Sequence, residues 1–245
     1  MTLRQFVVCL LPLLAGAAHA QDLQRVVSPD GQLEFRLFIV MPEGHGINSL
    51  AYQVWRHGNL LMDTSCLGVN IHYDEPVLGE NVGLSAARPL RGEGYNGLAA
   101  DYLQNSSTGR RIDLEVRVFN DGVAFRYVIP KQAPLLNLLI DEEETEFHFA
   151  YPAVRPAQAP LPYIEEAPGV GWLGIFESRM AGFPPMSLVR NEPYSLASHL
   201  PGRPHDPAVA YSGTTPWTGP WRIIAVASSR ERLAATRVVR DLVGN

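Results

Sequence analysis

Apolar and polar residues alternate along most of this chain, and that alternation is the first limit on its fold. Leu33-Glu34-Phe35-Arg36-Leu37-Phe38-Ile39-Val40 is the clearest run, and Leu50 to Trp55, Ile112 to Phe119 and Thr145 to Phe149 repeat it. A period of two sends successive side chains to opposite faces, so each run predicts a strand with one face toward a core and one toward water. Gly, Pro, Asn and Asp punctuate the runs at short intervals. Arg56-His57-Gly58-Asn59 and Asn120-Asp121-Gly122 read as hairpin turns, the second because Asp-Gly tolerates a positive φ. The expected architecture is all-β, built from antiparallel meanders. Only Ser229 to Leu242 has apolar residues at helical spacing (Leu233, Val238, Val239, Leu242), which suits either a short helix or a final strand. The Pro- and Gly-rich segments 152–168 and 201–220 read as long loops within one domain, because no repeat or low-complexity linker divides the chain.

The first 20 residues follow a different pattern. Arg4, the apolar stretch Phe6 to Leu14 and Ala18-His19-Ala20 have the form of a secretory signal cleaved before Gln21. A bilayer span takes about 20 apolar residues, more than this stretch or any later one supplies. The expectation is an exported protein, periplasmic or secreted, with no membrane attachment once the signal is cleaved and a mature domain of residues 21–245. Of the two cysteines, Cys9 leaves with the signal, so Cys66 has no internal partner and reads as a small buried hydrophobe. The roughly 225 remaining residues are enough for one large β domain held by its core.

Charge and side-chain chemistry narrow the function. The net charge is −5, with Lys131 the single lysine and no basic cluster, which argues against a nucleic-acid partner. The seven histidines lack metal-ligand spacing, so no metal is assigned. Asp141-Glu142-Glu143-Glu144 with Glu146 offers hard oxygen ligands, but successive strand carboxylates point to opposite faces and fit an acidic, solvated strand end better. Asn105-Ser106-Ser107 fits a glycosylation acceptor and reads as a turn. Trp217 and Trp221 offer aromatic faces to sugar rings or to packing, and Arg222 offers a bidentate fork to a carboxylate such as Glu177. Those four are the candidate carbohydrate-binding residues, and no residue is assigned a catalytic role.

Several segments together carry a family resemblance. Ser28-Pro29-Asp30-Gly31 before an alternating strand, Leu50 to Val54, Thr64 to Val69, Phe119-Asn120-Asp121-Gly122-Val123-Ala124-Phe125-Arg126-Tyr127 with Pro130, Glu143 to Phe147, and Pro220-Trp221-Arg222 stand in the order found in glycoside hydrolase family 97. Over the whole mature chain the sequence resembles the N-terminal domain of that family. The resemblance implies an antiparallel β-super-sandwich similar to the galactose mutarotase fold, and α-glucosides or α-galactosides as partners. The family's catalytic carboxylates lie on a following (β/α)₈ barrel, which needs roughly 200 residues or more, and this chain ends where that barrel is expected to begin. The sandwich of the family also supplies a calcium-ligating glutamate from an insertion that is cut down here to Tyr151 to Gln158 and holds no carboxylate. No cofactor is therefore expected, and Glu165 and Glu166 are not given the calcium role. Ile175-Phe176-Glu177-Ser178 matches a family segment as well. The reading that follows is an exported, non-catalytic carbohydrate-binding domain. Its alternatives are a docking domain for a separately encoded catalytic barrel or a split-gene remnant, and a mutarotase-like epimerase using His72 or His148 with Glu177.

Overall fold

The strand Leu33–Val40 shows how the alternation is used. Leu33, Phe35, Leu37 and Ile39 enter the main core, while Phe38 and Val40 on the opposite face meet Ala51 and Cys66 in a small second cluster. The computed structural model describes residues 21–243 except His45 and Thr108. The signal-like segment with Cys9, and the last two residues, lie outside it.

Strands Gln21–Val27, Leu33–Val40, Ser49–Arg56 and Asn59–Leu67 follow one another as an antiparallel meander. Val82–Gly92, Tyr95–Gln104, Arg111–Phe119 and Gly122–Ile129 form a second meander within the largest sheet. That sheet is then extended from far along the chain: Arg222–Ala227 pairs with Gly122–Ile129 on one side and with Gly171–Glu177 on the other, and Tyr163–Ala167 closes the edge. This crossover is absent from a pure meander. Two four-stranded sheets complete the fold, one centred on Asn137–Glu143 and Val69–Ile71, the other on Ser195–His199 and Ser187–Glu192. Side chains of all the sheets meet in one core. Phe125 of the largest sheet lies 5.9 Å from Phe35 and 5.0 Å from Tyr52 of the first meander, centroid to centroid. These are the contacts of sheet packed on sheet, a β-sandwich.

The largest sheet is covered on both faces, and the strand Arg222–Ala227 is buried at every position. Ile224 and Val226 face the main core, whereas Ile223, Ala225 and Ala227 pack under Leu233, Val238, Val239 and Leu242. Those four residues belong to a 3₁₀ turn, Arg230–Ala235, and a helix, Arg237–Val243, so the helical alternative holds for the C-terminal segment. The Asp121 carboxylate accepts the backbone N–H groups of Arg237 and Val238, capping the helix from a remote turn.

Two expectations are corrected. The hairpin at His57-Gly58 does use positive φ, at 50° and 76°. Asp121-Gly122 is not among the positive-φ positions, and the glycine serves a different need: a Cβ on Gly122 would sit 2.5 Å from Val238 Cγ1 and 2.7 Å from the Ile224 carbonyl oxygen. The proline-rich segments are also not simply loops. They contain the strands Gln158–Pro160, Tyr163–Ala167, Tyr211–Thr214 and Trp217–Thr218. Proline suits the sheet edges and strand ends where these short pieces begin and stop.

Candidate functional site

Arg222 is fully buried, and its side-chain hydrogen bonds all go to carboxylates. Its Nε and Nη2 donate to the two Glu143 oxygens at 2.7 and 2.6 Å, and its Nη1 donates to Glu177 Oε2 at 2.5 Å. Glu177 stands directly opposite Arg222 on the neighbouring strand, so the register alone brings that pair together. Glu143 arrives from another sheet, and Thr145 Oγ1 also donates to it, at 2.7 Å. Burial alone would lower the Arg222 guanidinium, but the two carboxylates outweigh it and hold it above its ordinary value. Burial also pushes Glu177 above the usual carboxylate range, against the pull of Arg222. The cluster leaves no guanidinium edge for a ligand. It ties the largest sheet to the layer below it.

The two candidate tryptophans lie in different apolar clusters. Trp217 is 4% exposed in the main core, beside Phe183 at 5.7 Å and Tyr211 at 6.0 Å. Trp221 is 6% exposed in the cluster beneath the C-terminal helix, with the Arg117 and Arg126 guanidiniums over its ring at 4.6 and 4.4 Å. The two rings therefore do not line one aromatic cleft, and Glu177 and Arg222 open onto neither. Glu177 is also not paired with a histidine. His72 pairs with Asp141 at 2.8 Å, and His148 lies elsewhere.

His148 lines a cleft of about 560 Å³ on the far face of the first meander. Glu43, Glu80, Glu144, Glu146, Glu192, Thr64 and Cys66 line it too, and no arginine or lysine does. Glu146 is held in place: Oε2 accepts the Cys66 N–H and Oε1 accepts from Asn191, both at 2.9 Å. Among the described residues none of the five carboxylates forms an ion pair. Burial, with Glu142, Glu80 and Glu146 nearby, raises Glu144, and burial beside Glu146 pushes the Cys66 thiol up to about 12. Cys66 is thus half-buried on a cleft wall, not wholly in the core, and at neutral pH it is a thiol. Fixed carboxylates, hydroxyls and an imidazole in a concave space of this size suit a polyhydroxylated ligand, whose O–H groups donate to them.

The acidic run Asp141 to Glu146 is divided among three of these settings. A bulge between Ile140 and Glu142 inserts one residue, so Glu143 follows Ile140 into the interior where Glu142 would have done so by strict alternation. Glu142 then faces His199 at 2.8 Å, and Glu144 and Glu146 face the cleft. A solvated strand end fits the exposed Glu144 but not Glu143, which is 1% exposed.

The calcium role implied by the resemblance finds a poor fit near Tyr151 to Gln158. The nearest glutamate, Glu165, accepts hydrogen bonds from the Tyr151 and Tyr163 hydroxyls, and the fully buried Arg155 lies 3.0 Å from it. A carboxylate already committed to a cation and two hydroxyl donors is a weak calcium ligand. Among the described residues no three His, Cys, Asp or Glu side chains are grouped to hold a metal ion. No helix there is long and apolar enough to cross a membrane, which leaves strand-built membrane barrels unaddressed.

Comparison with known proteins agrees with the layered β architecture. Residues 26–155 match the family model described as Glycosyl-hydrolase 97 N-terminal. Among solved structures, a Glycoside Hydrolase Family 97 enzyme in complex with acarbose from Pseudoalteromonas sp. strain K8 matches with TM-score 0.76 and 19% identity over 89% of this chain. The same strain's enzyme in complex with panose matches equally well. A beta-arabinopyranosidase matches with TM-score 0.65 and 19% identity over 85% of this chain. The chain spans 38% of the length of the first two structures and 40% of the third. No curated protein matches.

Proposed function

Because the chain belongs to the glycosyl-hydrolase 97 N-terminal family, we propose that it is an exported carbohydrate-binding domain, without a catalytic role of its own, that takes an α-glucoside or α-galactoside in the acidic cleft. The observation that carries this reading is the cleft wall itself: Glu144, Glu146, Glu192, His148 and Thr64 present acceptors around one concave space free of arginine and lysine. Neutral sugars supply the matching donors. The sugar class comes from the family, and export from the signal-like residues 1–20. Arg222, Glu177, Trp217 and Trp221 act in this reading as the frame that holds the sheets. Glu165, held by Arg155, Tyr151 and Tyr163, is given no calcium-ligating role in this reading.

Calorimetric titration of the purified chain with maltose and with a galactose-containing disaccharide, with product analysis on the same samples, tests the reading. Saturable binding without products is expected, and Glu146→Gln should weaken it about tenfold, the scale of one lost charge-assisted hydrogen bond. Released monosaccharide would contradict the non-catalytic role, and absent binding would contradict the cleft.

A docking role is favoured by a different observation. Pro152, Val154, Pro193 and Tyr194 border an open groove of about 750 Å³, with Val154 94% exposed. An apolar surface of this kind suits a catalytic domain as partner.

A further inference from the structure

The outer face of the largest sheet carries a groove of opposite character. Its floor is Trp221 with Arg117 and Arg126, its near rim is Ser178 and Arg179, and its far wall is Asp241 and Leu242 of the C-terminal helix; together they enclose about 410 Å³. The charges are unevenly answered. Arg126 is paired with Glu115 at 2.6 Å, and Asp241 with Arg237 at 3.1 Å. Arg117 and Arg179 pair with no carboxylate among the described residues.

Arg117 is the more informative of the two. Its guanidinium is held over Tyr95 at 4.8 Å and over Trp221 at 4.6 Å, so its position is set by two rings. The residues directly opposite it on the flanking strands are Gly97 and Ala124, neither of which has a side-chain acceptor. Ring contact satisfies the faces of a guanidinium and leaves its edge, with the N–H donors, unused. A half-buried planar fork with free donors and a second free guanidinium nearby is the complement of an oxyanion with two coplanar oxygens. A neutral sugar does not need it, and the guanidiniums already lie over the Trp221 ring.

We propose that this groove binds a small carboxylate of the kind carried by a uronic acid, with Arg117 gripping the two oxygens and Arg179 closing over them. The site is separate from the acidic cleft, so its test does not depend on the carbohydrate reading. The probe is glucuronate, titrated into the full chain at constant ionic strength and followed by calorimetry and by tryptophan fluorescence. Saturable binding is expected, weakened at least tenfold in Arg117→Gln. Arg179→Gln, on an exposed side chain, should weaken it several-fold and keeps the test open if the first variant fails to fold. Arg88→Gln, a surface arginine elsewhere, should leave it unchanged. The proposal is overturned if glucuronate does not saturate, if it binds the wild type and the Arg117 and Arg179 variants alike, or if the Arg88 variant loses binding equally, since that would mark a general charge effect.

Discussion

Asp113 and Asp101 face each other directly across adjacent strands, where like charges repel. Burial, then Asp101, raises Asp113 to about 6, while Arg111 at 3.5 Å restrains the rise. The folded protein thus keeps a proton on Asp113 that the unfolded chain releases near pH 4. Over that window the native state binds more protons, so stability falls as pH rises from about 4 to about 6 and the cost is complete above it. Asp113→Asn should therefore stabilise the protein at pH 7.5 by about 1 kcal/mol, once solvent screening of a partly exposed group is allowed for. The gain should vanish at pH 4. Urea denaturation at the two pH values measures it, and an unchanged or lowered midpoint at pH 7.5 would contradict it. At this scale the sequence was partly legible. The Arg222–Glu177 pair follows from two side chains on neighbouring strands, but Glu143 joins them only because a bulge shifts the alternation by one residue, and nothing in the local pattern marks that bulge.

Among the elements, the strands with long alternating runs were the most readable: Leu33–Val40 has the bounds its pattern implies, and Ser49–Arg56 and Arg111–Phe119 extend theirs by a residue or so. The short strands hidden in proline-rich sequence were not, because two to five residues carry too little periodicity and their pairing is decided by distant partners. Gly122 shows the same limit for turns. Its sequence context suggests a conformational need, whereas the structure shows a need for space between the sheet and the C-terminal helix. Gly122→Ala should accordingly destabilise by about 1–3 kcal/mol, as overpacking does. Val238→Ala in the same chain should restore only part of the loss, since the Ile224 carbonyl is backbone and cannot yield as a side chain can. Thermal unfolding of the single and double variants decides this. Full restoration by Val238→Ala would show that the backbone approach does not matter.

For the molecule as a whole, the sandwich separates two chemical surfaces. The acidic cleft lies on the outer side of the first meander, and the arginine-lined groove lies on the outer side of the largest sheet. The buried Arg222 cluster fastens the layers between them. The β-sandwich was legible from period-two patterning and the family motifs, but the cleft was not: its carboxylates come from four separated stretches of chain and converge only in the fold. Of the four residues singled out by their side-chain chemistry, Trp217, Trp221 and Arg222 are buried and Glu177 is half-buried, and Trp221 also floors the arginine-lined groove. The central claim is that a neutral saccharide occupies the acidic cleft. Hydrogen–deuterium exchange with and without saturating maltose tests it most directly. Protection confined to residues 64–67, 144–148 and 192–195 is the result expected, and protection confined to residues 217–222, with the cleft unchanged, would contradict it.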